Sequence, residues 1–173
     1  ELLAARRRLV FDEFLLFILA VQMLKEKTEE APNAFPMRPV WTTEQIIENL
    51  PYDLTKAQMN VWHEIERDLS GRALMSRLVQ GDVGSGKTIL AFLAMIMTAE
   101  NGYQAVLMAP TQVLAKQHYA DLCAILEPVG FHIAYLGSNM KVKEKKAVLA
   151  SIASGEANII VGTHSVIGKS VEY

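Results

Sequence analysis

Residues 81–88 read Gly81-Asp82-Val83-Gly84-Ser85-Gly86-Lys87-Thr88, which sets three glycines, a lysine and a hydroxyl at phosphate-loop spacing. Glycine backbones bend so that their N–H groups converge on phosphate oxygens. Lys87 is the residue type that reaches the β- and γ-phosphates, and the Thr88 hydroxyl can ligand Mg²⁺. The flanks suit that chemistry. Leu78-Val79-Gln80 reads as a short buried strand, and Ile89 to Ala99 is an almost wholly apolar run of helical length. Strand, glycine loop and helix together predict a nucleoside-triphosphate site, with the helix's positive end aimed at the phosphates.

Other reactive side chains point to less. The four histidines (His63, His118, His132, His164) show no metal-ligand spacing with Cys123, the single cysteine. One cysteine excludes an internal disulfide framework and suits a reducing, cytoplasmic compartment. Cys123 has no paired base in the sequence and reads as a small core residue, and His118 reads as a packing residue of its helix. Net charge is −2, so any nucleic-acid contact must come from local basic patches. Lys141, Lys143, Lys145 and Lys146 crowd a helix start, where they oppose the macrodipole, which suggests a phosphate partner; a solvated face is the plainer reading. Arg6-Arg7-Arg8 reads as a solvated first turn with Arg8 paired to Asp12. The apolar run Phe14 to Val21 is too short to span a bilayer, which takes roughly 20 residues, and lacks a cleavage site, so no membrane role is expected.

The positioning elements follow from periodicity. Residues 1–27 form one long helix pattern, with Val10, Phe14, Phe17, Val21 and Leu24 on one stripe and Leu9, Leu15, Leu16 and Leu19 making the other side apolar. A helix apolar on both sides is expected to lie between two bodies. Residues 28–50 form a linker with Pro32, Pro36 and Pro39, and a short helix that opens on a Thr42/Gln45 capping box and stops at Pro51. Residues 51–173 alternate helix and strand: helices over 55–69, 87–100, 112–126 and 141–153, strands over 77–80, 104–109, 132–136 and 158–161. That alternation predicts an α/β fold whose parallel sheet is covered by helices on both faces. Right-handed crossovers put the loops after the strands on one edge, where ligands bind. Those loops are the glycine loop, Ala109-Pro110-Thr111, Gly137-Ser138-Asn139 and Gly162-Thr163-His164.

Four such loops in that order resemble the superfamily 2 helicases and translocases, built on RecA-like P-loop domains. The closer resemblance is to the RecG family of branched-DNA helicases. It is carried by Arg77-Leu78-Val79-Gln80 with residues 81–88, then Leu107-Met108-Ala109-Pro110-Thr111, Leu114-Ala115, Gln117-His118 and Val161-Gly162-Thr163-His164. Leu50-Pro51-Tyr52-Asp53-Leu54-Thr55-Lys56-Ala57-Gln58 resembles that family's entry into its helicase core. The bacterial transcription-repair coupling translocase has a similar core; Ser85 and the Leu-Val-Gln-Gly lead-in favour the first family.

The resemblance implies a fold and a set of roles. Residues 1–27 would be a linking helix after a DNA-reading wedge domain, and 51–173 the first RecA-like domain. It implies ATP and Mg²⁺ as cofactors, with Gly81 to Thr88 and Gln58 binding nucleotide. Pro110, Thr111, Gly137, Ser138, Gly162, Thr163 and His164 would lie along the DNA track. Gln58 has a second reading, since Thr55-x-x-Gln58 is also a capping box, and Thr111 could serve simply as an N-cap. The implied substrates are forks and Holliday junctions in DNA repair and recombination. The family's hydrolytic Asp-Glu motif is expected beyond Tyr173, and its arginine finger in a second RecA-like domain. The chain then reads as a piece of a longer protein, inactive alone. Competing readings are a P-loop phosphotransferase, which lacks a lid and arginines after the loop helix, and a non-catalytic nucleotide-binding module.

Overall fold

Ile159, Ile160 and Val161 are all fully buried, and the molecule is arranged around the strand they form. The computed structural model describes residues 2–29, 32–126 and 129–173. Glu1, where the pattern starts the first helix, and residues 30–31 of the expected linker lie outside the described residues. In chain order the elements are α1 (Leu2–Glu29), α2 (Trp41–Asn49), α3 (Lys56–Leu69), α4 (Lys87–Glu100), β1 (Ala105–Met108), α5 (Gln112–Leu126), β2 (Ile133–Leu136), α6 (Val142–Ala153) and β3 (Ile159–Gly162). A 3₁₀ turn, His164–Ile167, closes the series.

The three strands make one parallel sheet in the order β1-β3-β2. Side chains alternate across a strand, so β3 feeds two cores. Ile159 and Val161 join α3, α4 and α5 through residues such as Trp62, Leu93, Ile96 and Leu122. Ile160 joins α6 and the 3₁₀ turn through Ile152 and Val166, with Ala134 and Leu136 of β2. Helices therefore cover both faces, as the α/β alternation predicts. Each large aliphatic buried this way stabilises the fold by about 1.5–3 kcal/mol.

Cover on the α6 face is incomplete over β1. Val106 and Met108 share the face of Ile160 but stay exposed, because α6 packs on β2 rather than β1.

One expected strand does not form. Residues 77–80 make no ladder with the sheet. A strand is a pairing, not a property of four apolar residues, and this segment is held elsewhere: Arg77 is drawn to carboxylates on α3, and Leu78 is 88% exposed. A second correction concerns α2. It begins at Trp41 with no side-chain cap, so Thr42 and Gln45 do not form the expected capping box. Thr42 and Thr43 are buried in its first turn, and the Thr43 hydroxyl donates back to the Val40 carbonyl at 2.8 Å.

The proline-bearing linker is pinned to the body. The Asn33 amide donates to the Leu69 and Gly71 carbonyls at 3.3 and 3.0 Å, capping the end of α3, and Pro32 bridges Ala73. Asn101 at the end of α4 binds both the N–H and the carbonyl of Arg38 at 2.9 Å. α1 differs from the other helices. Its apolar side chains stand in solvent on both sides (Phe14 62%, Leu16 69% exposed), while Arg8 and Asp12 pair at 3.2 Å as the spacing predicts. Val21 and Leu24 line a cleft of about 1010 Å³ with residues 71–78. Among the described residues, no helix is long and apolar enough to cross a membrane.

This packing predicts a contrast. Leu93→Ala, at a fully buried site, should lower the unfolding free energy by about 2–5 kcal/mol. Phe17→Ala on α1 should change it by less than about 0.5 kcal/mol. Urea denaturation checks both; equal losses would mean that α1 is packed as tightly as the core.

Candidate nucleotide loop and strand-end cluster

Two glycines turn the phosphate loop through backbone that side chains disfavour. Gly84 and Gly86 adopt φ of +79° and +75°, and Gly86 is the N-cap of α4, so the loop passes directly into the helix. The Lys87 ammonium lies inside the loop, donating to the Gly81 and Asp82 carbonyls at 2.8 and 2.6 Å and to Ser85 Oγ at 3.2 Å. A cation thus already sits within the loop, held by two of its carbonyls and the Ser85 hydroxyl. Thr88 is exposed beside it, and Val83 stands fully in solvent. An exposed glycine loop around an ammonium, with a hydroxyl adjacent, fits a triphosphate and its Mg²⁺ in donor chemistry. Among the described residues, no group of three His, Cys, Asp or Glu side chains could hold a metal by itself.

Gln58 joins this loop to α3. Thr55 and Gln58 form a complete capping box: Gln58 N–H donates to Thr55 Oγ1 at 3.2 Å, and Thr55 N–H donates to Gln58 Oε1 at 2.6 Å. The remaining side-chain donor, Nε2, binds the Ser85 carbonyl at 2.9 Å. Both ends of the amide are engaged, so Gln58 caps its helix and grips the loop together. A Cβ at Gly86 would run into that amide nitrogen.

Arg77, eight residues before Ser85, makes the other link to α3. Its NH1 meets Glu64 Oε2 at 2.5 Å, while Nε and NH2 meet Asp68 Oδ2 at 2.8 and 2.6 Å. The hydrogen bond to Asp68 is the main cause pushing the guanidinium pKa above its usual value; partial desolvation opposes it, and the Asp68 and Glu64 charges add to it. Charge patterning could have flagged this cluster, because Glu64 and Asp68 are four apart on one helix.

The three strand-end loops form a separate group. Pro110 and Thr111 are exposed, and Thr111 Oγ1 accepts the Leu114 N–H at 3.3 Å, so it does cap α5. Gln112 donates to Ser138 Oγ, joining the loop after β1 to the loop after β2. Ser165 Oγ donates to the Leu136 carbonyl at 2.7 Å, and Ala109 N–H to the Gly162 carbonyl at 2.8 Å, which brings in the loop after β3. Gly137 and Gly162 are buried, Thr163 is half-buried, and Ser138 and His164 are exposed. Gly162 has a packing reason of its own: a Cβ there would collide with the Leu136 carbonyl and lie 2.7 Å from Val166 Cγ1. Gln112 and Ser165, which tie this cluster together, were not signalled by any motif. Among the described residues, the hydrogen bonds of the phosphate loop run within itself and to α3, and none reaches these three loops.

His118 packs edge-to-face on Phe92 of α4, with centroids 6.1 Å apart, and Cys123 is half-buried, in line with structural roles for both.

With this geometry, residues 55–172 match the DEAD/DEAH box helicase family, and the chain belongs to that family. Its similarity is more specific than that. It is 42% identical over 172 residues to ATP-dependent DNA helicase RecG of Bacillus subtilis, covering 98% of this chain and 25% of that protein. It is 41% identical over 172 residues to ATP-dependent DNA helicase RecG of Streptococcus pneumoniae, with the same coverage. The chain spans about a quarter of the length of these relatives. Among solved structures, that of RecG bound to a three-way DNA junction superposes with a TM-score of 0.86 at 34% identity, covering 98% of this chain and 23% of that one. A hypothetical ATP-dependent RNA helicase of Sulfolobus tokodaii shares the fold at a TM-score of 0.53 and 19% identity, over 73% of this chain and 34% of its own.

The collision at Gly162 gives a testable consequence. Gly162→Ala should cost about 1–3 kcal/mol in urea unfolding, through displacement of β2 or the 3₁₀ turn. An unchanged midpoint would mean that the strand end yields freely and that packing does not require glycine there.

Proposed function

We propose that this chain is the first motor domain, with its linking helix, of an ATP-driven helicase acting on branched DNA. The observation that carries the proposal is the pairing of a lysine-centred phosphate loop with a separate cluster of strand-end loops on one small domain. The relatives named ATP-dependent DNA helicase RecG, and the related structure on a three-way junction, support the choice of DNA and of junctions. In this reading residues 1–27 link to a wedge domain, residues 28–50 join that helix to the motor, and residues 51–173 are the motor domain up to its Asp-Glu motif.

The chemistry follows from the side chains. Gly81, Asp82, Val83, Gly84, Ser85 and Gly86 offer backbone N–H groups to the triphosphate, and Lys87 exchanges loop carbonyls for phosphate oxygens. Thr88 is the residue that would offer an oxygen to Mg²⁺, which would offset phosphate charge there. Gln58 lies against the loop, where it contributes to nucleotide binding. Pro110, Thr111, Ser138 and His164, with the half-buried Thr163 and the buried Gly137 and Gly162 shaping the backbone behind them, form the edge offered to the DNA backbone, which gives affinity without reading sequence. A second RecA-like domain closes on the nucleotide and supplies an arginine, and closure moves the DNA-binding loops by a step. Fork regression and Holliday-junction branch migration in cytoplasmic DNA repair and recombination are the activities this motor would serve.

One experiment tests the whole reading. ATPase rate of the full-length protein should rise most with forked DNA, compared with linear duplex and single strand at one salt concentration; this 173-residue chain should show no steady-state turnover. Lys87→Ala should lower the full-length rate by about 10²–10³-fold, the usual cost of losing a charge-stabilising group, while fork affinity stays within about twofold. Equal stimulation by linear duplex would replace the junction motor with a duplex translocase. Loss of fork binding in a folded Lys87→Ala protein would break the separation of the two sites.

A further inference from the structure

We infer that Arg77 is a positioning residue of the nucleotide loop, strapping its lead-in to α3 through Glu64 and Asp68. The inference deepens the nucleotide-binding reading of residues 81–88 and rests on it. No ladder fixes residues 77–80, and Leu78 is almost wholly exposed. Val79 packs partly buried against the main core, and the polar hold on the segment is one guanidinium on two carboxylates, with contacts of 2.5–2.8 Å.

α3 therefore grips the loop at two points. Gln58 takes the Ser85 carbonyl at the far end, and the Arg77 cluster takes the near end. At 1.5 Å per residue, Glu64 and Asp68 lie about 9 and 15 Å along the helix from Gln58. The loop is stretched alongside a rigid splint whose N-terminus is itself capped. Partly exposed ion pairs contribute little to global stability. A tether at the mouth of an otherwise unpaired segment acts instead on local opening, which sets how well the loop is ordered before nucleotide arrives.

A plainer account is that Arg77 merely screens Glu64 from Asp68, four apart on α3, where like charges repel. The two accounts separate in variants of the 173-residue chain. Amide hydrogen exchange at Gly81 to Ser85 is read with and without ATP and Mg²⁺, and a fluorescent ATP analogue gives affinity. On the strap account, Arg77→Met speeds exchange at these amides and weakens analogue binding by about fivefold, the scale of a small ion-pair network. Exchange in the middle of α3 stays unchanged, and Arg77→Lys recovers part of both effects. The neutral triple variant Glu64→Gln, Asp68→Asn, Arg77→Met removes repulsion and strap together, so it keeps the fast loop exchange. Unchanged exchange at Gly81 to Ser85 in Arg77→Met, or wild-type exchange in the triple variant, overturns the inference. If the unaltered chain binds no analogue, the nucleotide reading fails, and loop exchange alone still decides the strap.

Discussion

Among the described residues, β3 alone is a strand bonded on both sides and buried on both faces. β1 and β2 touch the sheet only through it, and its alternate side chains supply the centre of each of two cores. Ile159, Ile160 and Val161 leave no room for a polar or smaller residue without a cavity. At its end, Gly162 lets the Leu136 carbonyl and Val166 approach, so that three loops meet there. The candidate DNA edge is thus a consequence of how tightly the central strand is packed. The half-covered face over Val106 and Met108 marks the limit of that packing.

The phosphate loop is organised by other means. Its glycines bend the backbone, Lys87 closes it from inside, and α3 holds it through Gln58 and Arg77. α4 then carries the loop into the main core, because eight of its fourteen residues are buried there. In the proposed reading, a nucleotide loop and a DNA edge with separate supports suit a device in which the two contacts move relative to one another.

Much of this was legible from residue order alone. The helices over 87–100, 112–126 and 141–153 and the three paired strands fall where apolar periodicity places them, within a residue or two at each end. The Thr55–Gln58 capping box was legible for the same reason, because a local pattern closes on itself. Residues 77–80 depart from the strand their sequence suggests, because apolar character shows that a segment can be a strand, whereas a ladder needs a partner that no local window contains. The Thr42/Gln45 box failed because burial turned the threonines inward. The glycine loop was plain from spacing, but its hold on α3 was not: Arg77 and Asp68 are nine residues apart and meet only once the helix is in place. Gly162 stood out in a motif, yet its packing reason appears only in three dimensions.

Residues 81–88, supported by α3, are the proposed nucleotide site of this chain. The most direct measurement is a titration of the ¹⁵N-labelled chain with ATP and Mg²⁺, following backbone amides and the Gln58 side-chain amide. Shifts should concentrate at Gly81 to Thr88 and at Gln58, with the strand-end loops little affected. Shifts centred elsewhere, or none at millimolar ATP, would contradict that site.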